Sequence, residues 1–189
     1  MTTAVMPVDE LEDLSGRLEQ AFQDIYQQRM ADLPVVNKKI AVHAIGFQHW
    51  QQSVLGVMIT PWFMNLMMLP GKDENWADKP LQTNSYYVFP SGRYAFLMGY
   101  EKEIGYYQSC SLFSPMFEFQ DDEAAVETAK IIIKELMNSE NVEQLDIPEE
   151  DVEKPVQTND MISTTDQEVE PVGEKIKKPM SRRRLLGLG

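Results

Sequence analysis

The stretch Ser53-Val54-Leu55-Gly56-Val57-Met58-Ile59-Thr60-Pro61-Trp62-Phe63-Met64-Asn65-Leu66-Met67-Met68-Leu69-Pro70-Gly71 decides how the rest of the chain must be read. It holds two runs, Ser53 to Thr60 and Phe63 to Leu69, whose β-branched and apolar residues and bounding prolines predict two strands. The second run does not alternate cleanly between apolar and polar positions. Two readings follow. One is a core strand covered on both faces. The other is an adaptable apolar surface for another polypeptide, because flexible methionine side chains repack around varied ligands. On that second reading Pro61, Trp62, Met64, Met67 and Pro70 line the surface and Trp76 is a rim anchor.

Outward from this stretch lie four more short runs of the same character: Lys39 to Trp50, Asn84 to Phe89, Arg93 to Tyr100 and Ile104 to Phe113. Turn formers such as Pro90-Ser91-Gly92 separate them. Before the first run, Leu11, Leu14, Leu18, Ala21, Phe22, Ile25 and Met30 recur at helical spacing and predict a helix from about Asp9 to Asp32. After the last, Ala125, Ala129, Ile132 and Leu136 form a second stripe, with Asp121 or Asp122 placed to cap a helix over about 122 to 138. The expected fold is α+β: an antiparallel meander of five to six strands flanked by an N-terminal and a C-terminal helix.

All 18 aromatic residues lie at or before Phe119, so the folded domain is expected to span residues 1–138. Residues 139–174 carry twelve acids against one base, Lys154, for a net charge of −11. Such a segment is expected to be a disordered acidic linker, because it buries too little to offset its ordering entropy. Residues 175–189 reverse the sign with Lys175, Lys177, Lys178, Arg182, Arg183 and Arg184. The whole chain carries −13, which leaves −8 for the domain. That balance opposes nucleic-acid backbones and favours basic partners.

The opening residues carry acid where a secretory signal needs a basic start. The most apolar window, Ile59 to Leu69, falls far short of the roughly 20 residues that cross a bilayer as a helix, so no direct membrane insertion is expected. One cysteine, Cys110, cannot form an internal disulfide, and the expected compartment is the cytoplasm.

The sequence holds two histidines. His43 and His49 are six residues apart on one predicted strand, roughly 20 Å at 3.3 Å per residue, too far to share a metal unless the segment bends. They read as partly exposed strand residues, and a nickel carrier built on two histidines and one cysteine is poorly supplied with ligands. Cys110, flanked by Ser109 and Ser111, invites a thiol enzyme or redox reading. Strand alternation instead places it beside Leu112, where a buried thiol behaves as a small hydrophobe. No catalytic residue, metal or cofactor is expected.

The ordered series Ile59-Thr60-Pro61-Trp62, Leu69-Pro70-Gly71, Trp76, Pro90-Ser91-Gly92 and Tyr107-Gln108-Ser109-Cys110-Ser111-Leu112-Phe113-Ser114-Pro115 resembles the HybE/HupJ family of [NiFe]-hydrogenase assembly chaperones. The resemblance spans about Leu18 to Asn138, and the terminal Arg-Arg-x-Leu-Leu is similar to the family's ending. Some relatives carry a fused rubredoxin domain with four cysteines. This chain has one, so no iron or electron-transfer role is carried over. What the resemblance implies is a cytoplasmic, non-catalytic partner of hydrogenase small and/or large subunit precursors, including the small subunit with its twin-arginine signal peptide. It would hold the enzyme back from export until its metal centres are in place. Cys110 joins the expected partner-binding set through the same element. Ser181-Arg182-Arg183-Arg184-Leu185-Leu186 is itself similar to the core of a twin-arginine signal, with no apolar region after it. Two readings of Arg182, Arg183, Leu185 and Leu186 follow: a regulatory pseudo-ligand, or a solvated basic end that meets an acidic partner.

Overall fold

The computed structural model describes residues 8–138. Helix α1 runs over Val8–Ile25 and continues into a π-helical turn, Tyr26–Met30. Six strands follow: β1 (His43–Trp50), β2 (Ser53–Ile59), β3 (Met64–Leu69), β4 (Asn84–Phe89), β5 (Gly92–Glu101) and β6 (Gly105–Phe113). Helix α2, Asp122–Leu136, closes the domain. All pairings are antiparallel, and the sheet order is β1-β2-β3-β6-β5-β4.

The expected α+β architecture is present, and the meander is interrupted once. β1-β2-β3 and β4-β5-β6 are each a meander. The chain after Leu69 crosses to the far edge to start β4, and the halves are joined by β3 against β6, Leu66 opposite Cys110. Helix α2 is capped by Asp121, whose carboxylate accepts from the Ala124 N–H at 2.9 Å. Asp122 serves elsewhere: it accepts from the Ala41 N–H and meets His43 Nε2, both at 2.8 Å, which starts β1 at His43 rather than Lys39. β1 does bend, at a bulge between Ile45 and Gln48 where Gly46 takes a φ of +62°.

The helices cover opposite faces. The α2 stripe, Ala125, Ala129, Ile132 and Leu136, is fully buried against Leu55, Val57, Ile59, Met64, Leu66, Met68, Phe96 and Met98. α1 places Leu18 and Phe22 on the other face, over Val54, Met58, Met67 and Leu69. β2 and β3 are thus apolar on both sides, which is why their sequence does not alternate. No helix among the described residues is long and apolar enough to cross a membrane.

Candidate functional site

The residues singled out in the Ile59–Gly71 stretch turn out to frame the fold. Thr60 folds the β2–β3 connection on itself: its hydroxyl donates to the Phe63 carbonyl and accepts from the Trp62 and Phe63 N–H groups. Pro61 is buried there, and its carbonyl accepts from the Asn37 N–H at 2.8 Å. Asn37 then donates from its amide to the carbonyls of Met116 and Phe119, both at 3.0 Å, binding three loops together. Trp62 is half-buried, stacked on Tyr26 with ring planes 16° apart. Met64 and Met67 are core residues, exposed by 0% and 2%. A partner does not reach them in this conformation.

Gly71 lies so close to the Gln52 carbonyl that no side chain fits. Next to it Glu74 accepts from the Ser53 hydroxyl (2.6 Å), the Gly71 N–H (3.0 Å) and the Trp76 indole N–H (3.3 Å). Burial pushes the Glu74 carboxyl up. These bonds and Lys79 outweigh it and hold the group below its usual value. Trp76, exposed by 3%, is thus a plug under the sheet rather than a rim anchor, and Pro70 beside it is half-buried.

Cys110 is half-buried and packs toward the α2 core, on the same side as Leu112. Burial raises the neighbouring Tyr94 hydroxyl, its hydrogen bond with Ser91 lowers it and the charge of Cys110 raises it further. His43 is fastened to Asp122, beyond the β1 bulge from His49. Among the described residues no three His, Cys, Asp or Glu side chains gather as metal ligands would. Arg182, Arg183, Leu185 and Leu186 lie outside the described residues.

The surface that the structure brings together is a different one. Among the described residues α1 covers β1, β2 and β3; beyond them Arg29 reaches the end of β5 through Glu101 at 2.9 Å, and β4 and the rest of β5 are left uncovered on that face. Tyr86 and Val88 of β4 are exposed by 58% and 67%, and Leu97 of β5 by 44%. Register places Tyr86 opposite Ala95 and Leu97 opposite Ser109. Alternation turns Ser109 and Ser111 to this face, away from Cys110 and Leu112. Small residues thus form a shallow floor between α1 and Tyr86, and the Arg93 guanidinium lies over the Tyr86 ring, 4.4 Å from its centroid. Next to Ser111 on β3, the Asn65 side-chain oxygen is buried with no hydrogen-bond partner among the described residues. The Tyr107 ring closes one end by lying flat across Gly99, where a Cβ would meet it at 2.7 Å. Burial pushes the Tyr107 hydroxyl up, with Glu101 adding to the rise and Arg29 opposing it. Sequence reasoning missed this face. Its only signal was the alternation of Tyr86 and Val88 with Ser85 and Tyr87.

Comparison with known proteins agrees with the motif series. The family model described as [NiFe]-hydrogenase assembly, chaperone, HybE matches residues 13–188. The chain belongs to that family. Within the HybE family, "Protein HoxT" of Cupriavidus necator is 41% identical over 138 residues, covering 67% of this chain and 77% of its own. "Probable rubredoxin HupJ" of Rhodobacter capsulatus is 37% identical over 125 residues, which are 66% of this chain and only 45% of that protein. The solution structure of HybE from Escherichia coli matches with a TM-score of 0.53 at 21% identity, over 82% of this chain and 91% of that one. That last likeness is one of fold. Membership places the chain in a family of hydrogenase assembly chaperones.

Proposed function

We propose that this HybE-family chain is a non-catalytic cytoplasmic chaperone that binds hydrogenase subunit precursors, the twin-arginine-bearing small subunit among them, through the open face of β4, β5 and β6. The observation that supports this is the exposure of Tyr86, Val88 and Leu97 side by side on a sheet whose other half is covered twice. Aromatic and aliphatic anchors next to a polar floor of Ser109 and Ser111 suit a peptide that is apolar and also carries hydrogen-bonding groups. The net charge of −13 draws a basic signal segment toward the domain, an attraction that salt weakens. The tip Arg182, Arg183, Leu185 and Leu186 acts in this reading as a weak pseudo-ligand that a precursor displaces.

The test is binding of the full chain to a synthetic twin-arginine signal peptide from a hydrogenase small subunit, with a control peptide in which both arginines are lysine. Affinity that requires both arginines, and that deletion of residues 175–189 increases, supports the reading. Absence of binding removes the small-subunit signal as partner and turns the experiment to the large subunit precursor.

A further inference from the structure

The two edges of the sheet end differently. At β1 the Ala44 N–H donates to Glu19 of α1 at 2.9 Å, the Ala41 N–H just ahead of the strand donates to Asp122, and a bulge breaks the ladder. β4 has none of these devices. It pairs residue for residue with β5 from Asn84 to Phe89, and its sequence, Asn-Ser-Tyr-Tyr-Val-Phe, holds no charge and no proline. Charges, prolines and bulges are what usually blunt an exposed edge, because a bare one is a template for another strand.

The ladder itself fixes which groups are bare. Just before β4, the Thr83 carbonyl accepts from the Met98 N–H of β5 at 2.9 Å. Bonded and non-bonded positions alternate in an antiparallel pair, so Ser85, Tyr87 and Phe89 turn their backbone groups to β5, and Asn84, Tyr86 and Val88 turn theirs outward. The tight turn at Pro90 and Ser91, closing on the Phe89–Gly92 pair, requires the same parity. Among the described residues no backbone bond reaches the outward groups. All three residues also expose their side chains, Tyr86 by 58% and Val88 by 67%. Main-chain donors, acceptors and apolar anchors thus coincide on alternate residues of one strand, which is the arrangement that strand addition by a peptide uses.

We propose that the signal-bearing precursor binds by adding an extended, uncharged stretch of its chain to β4 as a seventh strand. This rests on the precursor-binding reading above and specifies how the face is engaged. Backbone bonds to Asn84, Tyr86 and Val88 hold the stretch, and its alternate side chains lie beside Tyr86 and Val88 on the open face. The paired stretch is uncharged for two reasons. β4 offers a cation no acid, and Arg93, which makes no ion pair among the described residues, lies over the Tyr86 ring and repels one. Basic residues of the precursor therefore fall beyond the paired stretch, where the acidic domain attracts them. A second copy of this chain is the poorer occupant, because each carries −13 and the two repel.

The experiment uses the full chain and the twin-arginine signal peptide in three forms: unmodified, and with backbone N-methyl groups on either the odd or the even residues of its uncharged stretch. An added strand donates to the edge from every second amide only, so one methylated set should weaken binding about tenfold and the other less than about twofold. Saturation with the unmodified peptide should slow exchange of the Tyr86 and Val88 amides about tenfold and leave that of Tyr87, already bonded to β5, unchanged. Equal effects of the two methylated sets, or binding that leaves the Tyr86 and Val88 amides unprotected, overturn strand addition while precursor binding stands. Failure of the unmodified peptide to bind overturns the signal as partner, and strand addition with it. Protection of the same amides without peptide that fades on dilution also overturns the proposal, because the edge is then paired with a second copy.

Discussion

The first half of the sheet, β1 to β3, and the second, β4 to β6, are built from the same kind of antiparallel meander and differ in what covers them. α1 and α2 enclose the first half from both sides, and β1 is sealed by Glu19 and Asp122. The second half has α2 and its loops on one side and an open face on the other. α1 lies over β1, β2 and β3, and the strands beyond them hold the exposed Tyr86, Val88 and Leu97. Stability is therefore concentrated in one half and available surface in the other.

That contrast can be broken or sharpened by experiment. The largest effect belongs to Leu66→Ala in β3, fully buried, where removing the side chain should cost about 2–5 kcal/mol in urea unfolding. Leu97→Ala on the open face should cost no more than about 0.5 kcal/mol, and similar costs at both positions would mean that the open face is covered after all. Asn37→Ala comes next. It leaves the Met116 and Phe119 carbonyls and the Asn37 turn without their bonds and should lose about 1–3 kcal/mol by the same measurement. Tyr86→Ser with Val88→Ser should leave the unfolding midpoint in place and weaken precursor or signal-peptide binding by about tenfold; an unchanged affinity would move the site off this face. The smallest effect is the pH dependence of Glu74. Its folded pKa is depressed, so its stabilisation is complete above the unfolded value of 4.5 and is lost as pH falls through the lower folded value. The stability difference between the native chain and Glu74→Gln should therefore shrink from about pH 6 to about pH 3.

Much of the covered half could be read from sequence. The α2 stripe is buried residue for residue, and the six apolar runs are the six strands within a few residues at each end. Periodicity reports which side chains face apolar surroundings, and in both helices those surroundings are local to the fold. The site was less legible for the same reason. Met64, Met67 and Trp76 have the composition of a binding surface, yet composition does not say whether the apolar neighbour is another protein or α1. Thr60 and Pro61 stood out because a tight turn needs them, and Gly71 because the Gln52 carbonyl excludes a side chain. The open face had no such marker: Tyr86, Val88 and Leu97 look like any half-covered strand until the sheet order shows that α1 does not extend over them.

The sheet order also sets how the molecule assembles. Five pairings join the strands, and four of them link neighbours in sequence that close short loops. The fifth, β3 with β6, must bring Met64 to Phe113 before any of its bonds can form. Loop-closure entropy makes that ladder the slow event, and until it forms two finished three-stranded halves each present an unpaired inner edge. The segment from Pro70 to Thr83 is then a hinge through which one chain can lend its second half to another. Refolding at high concentration should therefore yield a strand-exchanged dimer that dissociates only on unfolding, a product that size exclusion after dilution would reveal.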